Sequence, residues 1–162
     1  MMPRLCQPCT ACCDGWLQIT VDDQPVYPGK PCPHSTGHSC RIFERRPEDP
    51  CRQFVCAWLA PLSHLPEDFR PDLARVIVLA DVRRWQGRPV DVAVPVGRRI
   101  PGKALAWLKD YSRLHDRPLI YLEQADKQMK YNREQVAQAY GPPAFQAEML
   151  ARIEAGARSL FQ

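Results

Sequence analysis

Sulfur is the chemistry this chain is equipped for. Its eight cysteines stand at Cys6, Cys9, Cys12, Cys13, Cys32, Cys40, Cys51 and Cys56, and residues 59–162 contain none. Packing alone would not cluster thiols in this way. Thiolates are soft donors suited to zinc and to iron–sulfur clusters, whereas an even cysteine count in an oxidising compartment serves disulfides. The spacing favours metal. In Cys6-x2-Cys9-x2-Cys12, two intervening residues let a tight turn aim two sulfurs at one ion. Around tetrahedral zinc, with Zn–S about 2.3 Å, those sulfurs sit about 3.8 Å apart. Adjacent Cys12 and Cys13 are different, because neighbouring side chains diverge. Either they face different metal atoms or one of them is not a ligand. The triple Cys-x2-Cys-x2-Cys also occurs in bacterial iron–sulfur sequences, which continue x3-Cys-Pro. This chain does not continue so, but Cys32-Pro33 keeps a cluster among the options. All eight cysteines are expected to be metal ligands, with zinc preferred to an iron–sulfur cluster.

Other side chains near the cysteines have candidate roles. His34 and His38 lie in the loop before Cys40 and could ligate zinc, but eight thiols already fill two four-ligand sites. They are therefore read as solvated loop residues. Phe54 and Trp58 could wall water away from the metal, or simply fill core. Arg46 could offset thiolate charge or clamp Asp14 or Glu44 in a bidentate pair. The alternative is a surface arginine beside a turn proline. No catalytic residue can be named.

The run Cys6-x2-Cys9-x2-Cys12-Cys13, Cys32, Cys40-x-Ile42-Phe43-x2-Arg46-Pro47, Cys51-x2-Phe54-x-Cys56-x-Trp58 resembles the CxxCxxCC, or YkgJ-type, cysteine-cluster family. That family is described as a zinc- or iron-chelating domain. The resemblance covers roughly residues 6–60 and implies a ligand set without a reaction. Phe43 stands where the family often has Tyr, so a role for a phenol hydroxyl there is not carried over. A related cysteine motif occurs in the much longer flagellin lysine methylases, and methylation is not carried over either.

The elements that must position these residues read as follows. Residues 16–21 alternate as a half-buried strand ended by Asp22-Asp23, and 25–33 form a Pro/Gly loop. Residues 40–44 read as a short strand, and 51–59 show helical spacing. Beyond Trp58 the composition shifts. Residues 73–82 are apolar and β-branched; with 90–96, across a turn at Gln86-Gly87-Arg88-Pro89, they predict a hairpin in which Pro95 sits near an edge or strand end. A helix is expected over about 101–115, opened by Pro101, with Leu105, Trp107, Leu108, Tyr111 and Leu114 on its apolar face. A short strand follows at 119–122. Residues 126–140 are ambiguous, since Met129, Val136 and Tyr140 fit a helix only loosely, and Phe145, Met149, Ile153 and Leu160 mark a last helix. The fold expected is α+β: an irregular, metal-stabilised, Cys-rich N-terminal lobe over 1–60, packed on a small antiparallel sheet with two or three helices over 61–162.

Length and composition set outer limits. A chain of 162 residues with 45% hydrophobic and 25% charged residues can bury one core. Its 17 prolines argue for stiffened, irregular connections. The formal charge of +4 counts each cysteine as neutral. Four thiolates on a divalent ion leave about −2, so two such sites would cancel it. Nucleic-acid binding is therefore not expected, although Arg83, Arg84, Arg88, Arg98 and Arg99 form one basic concentration. Asp81, Asp91, Glu67 and Asp68 read as solvated charges, and Ser63-His64 carries no weight. No phosphate-binding or nucleophile-elbow motif occurs. Residues 1–5 show no apolar leader and no run reaches the roughly 18 residues of a membrane span, so a cytoplasmic location is expected. The function expected is structural metal binding. The alternatives are a redox or metallocluster enzyme using Cys12 and Cys13, and an interaction module, scaffolded by the metal, that binds a protein partner.

Overall fold

The structure, a computed structural model, describes residues 3–80, 82–125 and 134–154, with residues 153 and 154 described by backbone alone. Residues 3–58 run largely through turns. A hairpin of β1 (Ile19–Val21) and β2 (Gln24–Val26) is the first paired element. Its two loop residues, Asp22 and Asp23, both have positive φ, 49° and 62°. Such a loop carries the twist that flanking strands need, and aspartate tolerates the left-handed region because its short polar side chain bonds locally. Val21 and Val26 turn inward and are buried with Cys32. Gly15, at φ +99°, threads so close to the chain at residue 27 that a Cβ would collide with the Tyr27 carbonyl. A tight helical turn at Phe43–Arg45 and a wider one at Glu48–Arg52 bring the later cysteines round.

Beyond Trp58 comes regular structure. Helical turn α1 (Pro71–Ala74) ends at left-handed Arg75 and feeds β3 (Val76–Leu79). The small hairpin of β4 (Arg84–Trp85) and β5 (Arg88–Pro89) leads into β6 (Asp91–Pro95). Helix α2 (Gly102–His115) then crosses to β7 (Leu119–Gln124); β8 (Gln135–Tyr140) and α3 (Pro143–Glu154) follow. The sheet order is β3-β6-β7-β8. β3 pairs antiparallel with β6 (Val78 opposite Ala93), and β8 antiparallel with β7 (Ile120 opposite Ala139). β6 and β7 run parallel, Val92 opposite Ile120, which is why a helix must connect them. Every residue of β6 is buried, as a central strand covered on both faces requires. Phe145 and Met149 of α3 are buried in the same core as Val76, Ile77, Val92 and Ile120. The architecture is thus mixed helix and sheet, an α+β arrangement.

The cysteine-rich stretch is joined to this sheet directly. The Ala57 N–H donates to the Val78 carbonyl at 2.7 Å. Cys56, Ala57 and Trp58 belong to the sheet's hydrophobic core. Arg4 donates to the carbonyls of Trp58 (2.8 Å) and Leu65 (2.7 Å), and its guanidinium lies over the Trp58 ring.

Several elements differ from the sequence expectation, each for a local reason. The strand expected over 16–21 is paired only from Ile19, because residues 11–17 are spent in turns. Residues 40–44 give one bridge, Ser35 opposite Cys40, and then a helical turn. The helical spacing over 51–59 yields only the wide turn ending at Arg52. Pro47 and Pro50 bracket its start and lack N–H donors, and residues 54–56 leave helical geometry to deliver Ala57 to β3. On α2 the buried stripe is Ala104, Leu108 and Ser112, at i, i+4, i+8, and Leu114 lies on the solvent side. Residues 135–140 are a strand, since pairing along all six residues of β7 outweighs a loose helical period. Residues 126–133 and Leu160 lie outside the described residues. Pro95 is the last residue of β6, as its missing N–H demands.

Candidate metal centre

Each cysteine is positioned by a turn or a bridge. The Cys9 N–H donates to the Cys6 carbonyl at 3.0 Å and the Gly15 N–H to the Cys12 carbonyl at 3.2 Å, so the first three cysteines ride on consecutive turns. The Cys32 N–H donates to the Cys13 carbonyl at 2.7 Å, which ties residue 32 across to residue 13. Cys32 in turn accepts from the Ser35 N–H at 2.9 Å, and Ser35 bridges Cys40. Cys51 lies in the wide turn Glu48–Arg52, which packs on β1. The Cys56 carbonyl accepts from the N–H groups of Leu59 and Ala60 at 3.1 and 3.0 Å.

All eight cysteines line one cavity of about 100 Å³, with Ile42, Phe43, Arg46, Phe54 and Trp58 among its other walls. All eight are free thiols. No Asp or Glu lines the cavity among the described residues. A donor set of thiols in an apolar wall, without carboxylates, matches zinc or iron–sulfur chemistry and not that of calcium or magnesium. Among the described residues no group of three or more His, Cys, Asp or Glu stands ready-made to hold an ion. The sulfurs share a cavity.

Packing divides them. Cys56, with Cys9 and Cys12 against it, belongs to the large core that continues into the sheet. Cys32, with Cys13 and Cys51 against it, belongs to a smaller core built on Val21 and Val26. Cys12 and Cys13 therefore fall on opposite sides, as their divergent geometry requires.

Burial pushes the thiols up. The Cys12 thiol lies well above the usual range through burial, reinforced by Cys56 and Cys13. Burial and the neighbouring Cys32 and Cys40 raise the Cys13 thiol to about 12. Cys6, Cys9, Cys51 and Cys56 are also raised, burial leading in each. Local counter-effects exist. The Cys9 sulfur faces backbone N–H groups of Ala11 and Asp72, and the Cys56 sulfur those of Leu59 and Trp58, which favour thiolate. Arg46 favours thiolate at both Cys6 and Cys51.

The Arg46 guanidinium stacks 3.9 Å over the Phe43 ring, and its Nε is buried without a hydrogen-bond partner. Asp14 and Glu44 make hydrogen bonds to residues other than Arg46. Asp14 accepts from the Thr10 hydroxyl at 3.0 Å, and the Glu44 carbonyl accepts from Arg52 at 2.6 Å. His34 lines the cavity but pairs with Asp22 at 2.8 Å. His38 is exposed and is not among the cavity's lining residues.

Outside the cavity the sequence reading missed a buried cluster. Asp91, read as solvated, is 4% exposed, and its carboxylate lies 3.2 Å from His64 and 2.9 Å from Arg117. His64 stacks on Tyr111, which stacks on Trp107 and His115. Residues 64, 91 and 117 are too far apart in sequence for spacing to reveal the group. Arg88, from the basic concentration, pairs with Asp116 at 2.9 Å. Among the described residues no helix is long and apolar enough to cross a membrane. No family model, curated protein or solved structure matches this chain.

Proposed function

We propose that this chain is a metal-binding protein whose eight cysteines chelate zinc or an iron–sulfur cluster, and that the metal's role is structural. The observation that carries the reading is the convergence of all eight thiols, from 51 residues of chain (6 to 56), on one apolar cavity without a carboxylate. The resemblance of residues 6–60 to the CxxCxxCC family supports it. Buried thiols without a cation are held protonated; a bound cation reverses that balance and releases the protons. Bound zinc would supply a cross-link worth an apparent ~10–16 kcal/mol of folding free energy. The stretch over 3–58 has little regular structure of its own to replace it.

The chain's residues divide that task. The turns at 6–9 and 12–15 present sulfurs, and the N–H groups of Ala11, Asp72, Trp58 and Leu59 orient two of them. Phe43, Phe54 and Trp58 exclude water. Arg46 supplies positive charge beside Cys6 and Cys51. A reading in which Cys12 or Cys13 acts as a redox nucleophile needs one of them uncoordinated with a lowered pKa, whereas burial raises both in the cation-free chain.

Elemental analysis of protein purified without air, combined with its visible absorption, tests the proposal. Zinc without visible absorption is expected. Iron and sulfide with a visible band would move the assignment to a cluster, and a folded protein containing neither would sink it.

A further inference from the structure

We propose that the thiols form two adjacent four-thiolate sites divided between Cys12 and Cys13, with Cys6, Cys9, Cys12 and Cys56 in one and Cys13, Cys32, Cys40 and Cys51 in the other. This rests on the metal-binding reading and adds to it a stoichiometry, two ions per chain, and the ligands of each. The ligand class is a divalent cation that prefers tetrahedral thiolate, such as zinc.

Packing gives the division, and the backbone extends it to Cys6 and Cys40. Cys9, Cys12 and Cys56 sit in the core that runs into the sheet, while Cys13, Cys32 and Cys51 sit in the core of the β1–β2 hairpin. Cys6 and Cys9 are joined by a turn, which puts Cys6 with the first group; the turns closed from Thr10 to Asp14 and from Cys12 to Gly15 then hold Cys12 and Cys13 at the seam between the two groups. On the other side Cys13 is bonded to Cys32, Cys32 to Ser35, and Ser35 is bridged to Cys40. That chain of contacts puts Cys40 with the second group, although packing alone does not class it.

The two sites abut. Cys6 also neighbours Cys40 and Cys13. Arg46 faces Cys6 of the first site and Cys51 of the second. Its buried, unpartnered Nε places one positive charge where two anionic centres meet. The sites differ in construction. The first takes three ligands from a seven-residue segment, 6–12, and one from residue 56. The second gathers one ligand from each of four separate segments.

Native mass spectrometry of the full chain loaded with zinc, with iodoacetamide labelling, tests this. Two zinc ions are expected in the wild type. Cys56→Ser should keep one and expose Cys6, Cys9 and Cys12 to label while Cys13, Cys32, Cys40 and Cys51 stay protected. Cys51→Ser should give the mirror pattern. Because either variant could fail to fold, the wild type is also brought to one zinc per chain with a chelator. Label should then fall within a single foursome. Label spread over both foursomes in that half-loaded wild type, or a single centre lost whole on either substitution from a protein that remains folded, overturns the division while leaving metal binding intact. Failure of the wild type to bind zinc, iron or any cluster overturns the underlying reading as well.

Discussion

Arg46 brings a positive charge to the wall of the thiol cavity. It lies over Phe43, beside two thiols of different chain segments, with a buried nitrogen that no acceptor meets. Arg46→Ala should weaken metal retention by roughly 10-fold or more, the usual cost of losing a residue that supports metal ligands. Competition with a graded chelator measures it, and unchanged retention would reduce Arg46 to a packing residue. Gly15 is constrained by space as well as by its φ of +99°. Gly15→Ala should destabilise the metal-loaded protein by about 3 kcal/mol, the upper end of ordinary substitutions, as read by denaturant titration. The thiols set a pH dependence whose sign follows from their raised values. In the metal-free, reduced chain, protonated thiols are favoured by the fold. Their contribution is complete below the ordinary cysteine range, about 8.5, and is lost as pH rises toward the Cys13 value of about 12. Thermal melts of metal-free protein should therefore fall with rising pH through that window. Metal loading should run the other way and weaken as protons compete at low pH.

At the scale of elements, β6 joins the parts. It pairs with β3 on one side and β7 on the other, and the carboxylate of its first residue, Asp91, lies within ion-pair distance of His64 from the connecting segment and of Arg117 from the end of the α2 crossover. Removing one partner of a buried ion group leaves the others uncompensated. Asp91→Ala should cost about 3–5 kcal/mol, and a urea titration that found less than about 1 kcal/mol would place Asp91 outside any stabilising role. The elements read well from sequence were those whose pattern is local. α2 begins beside Pro101, and β3 and β6 are runs of β-branched residues. Those misread were set by partners: β8 is a strand because β7 lies beside it, and residues 54–56 abandon a helical spacing to reach β3.

For the whole molecule, the cysteine stretch and the sheet are asymmetric in what holds them. The sheet has a continuous buried core from Val76 to Met149. The stretch over 3–58 has one hairpin, a set of turns and the thiol cavity. Chelation of the metal should therefore strip hydrogen-exchange protection from the region of Cys6 to Cys51 while β3, β6 and β7 keep theirs. Loss of protection throughout the chain would mean that the two parts fold only together, through the shared residues Cys56, Ala57 and Trp58.

The sequence by itself determined that all eight cysteines fall within residues 6–56 and that adjacent Cys12 and Cys13 point their side chains apart. Residue type and adjacency are local properties, and the geometry of neighbouring side chains follows from them. Tertiary structure decided which distant thiols are neighbours. Cys13 meets Cys32 through one backbone hydrogen bond, and Cys56 reaches the cavity because Ala57 is held by β3. It also decided that Asp91 is buried and that the Arg46 guanidinium lies over the Phe43 ring. Such proximity arises from closing loops of tens of residues, and no spacing along a chain encodes which loop ends will meet.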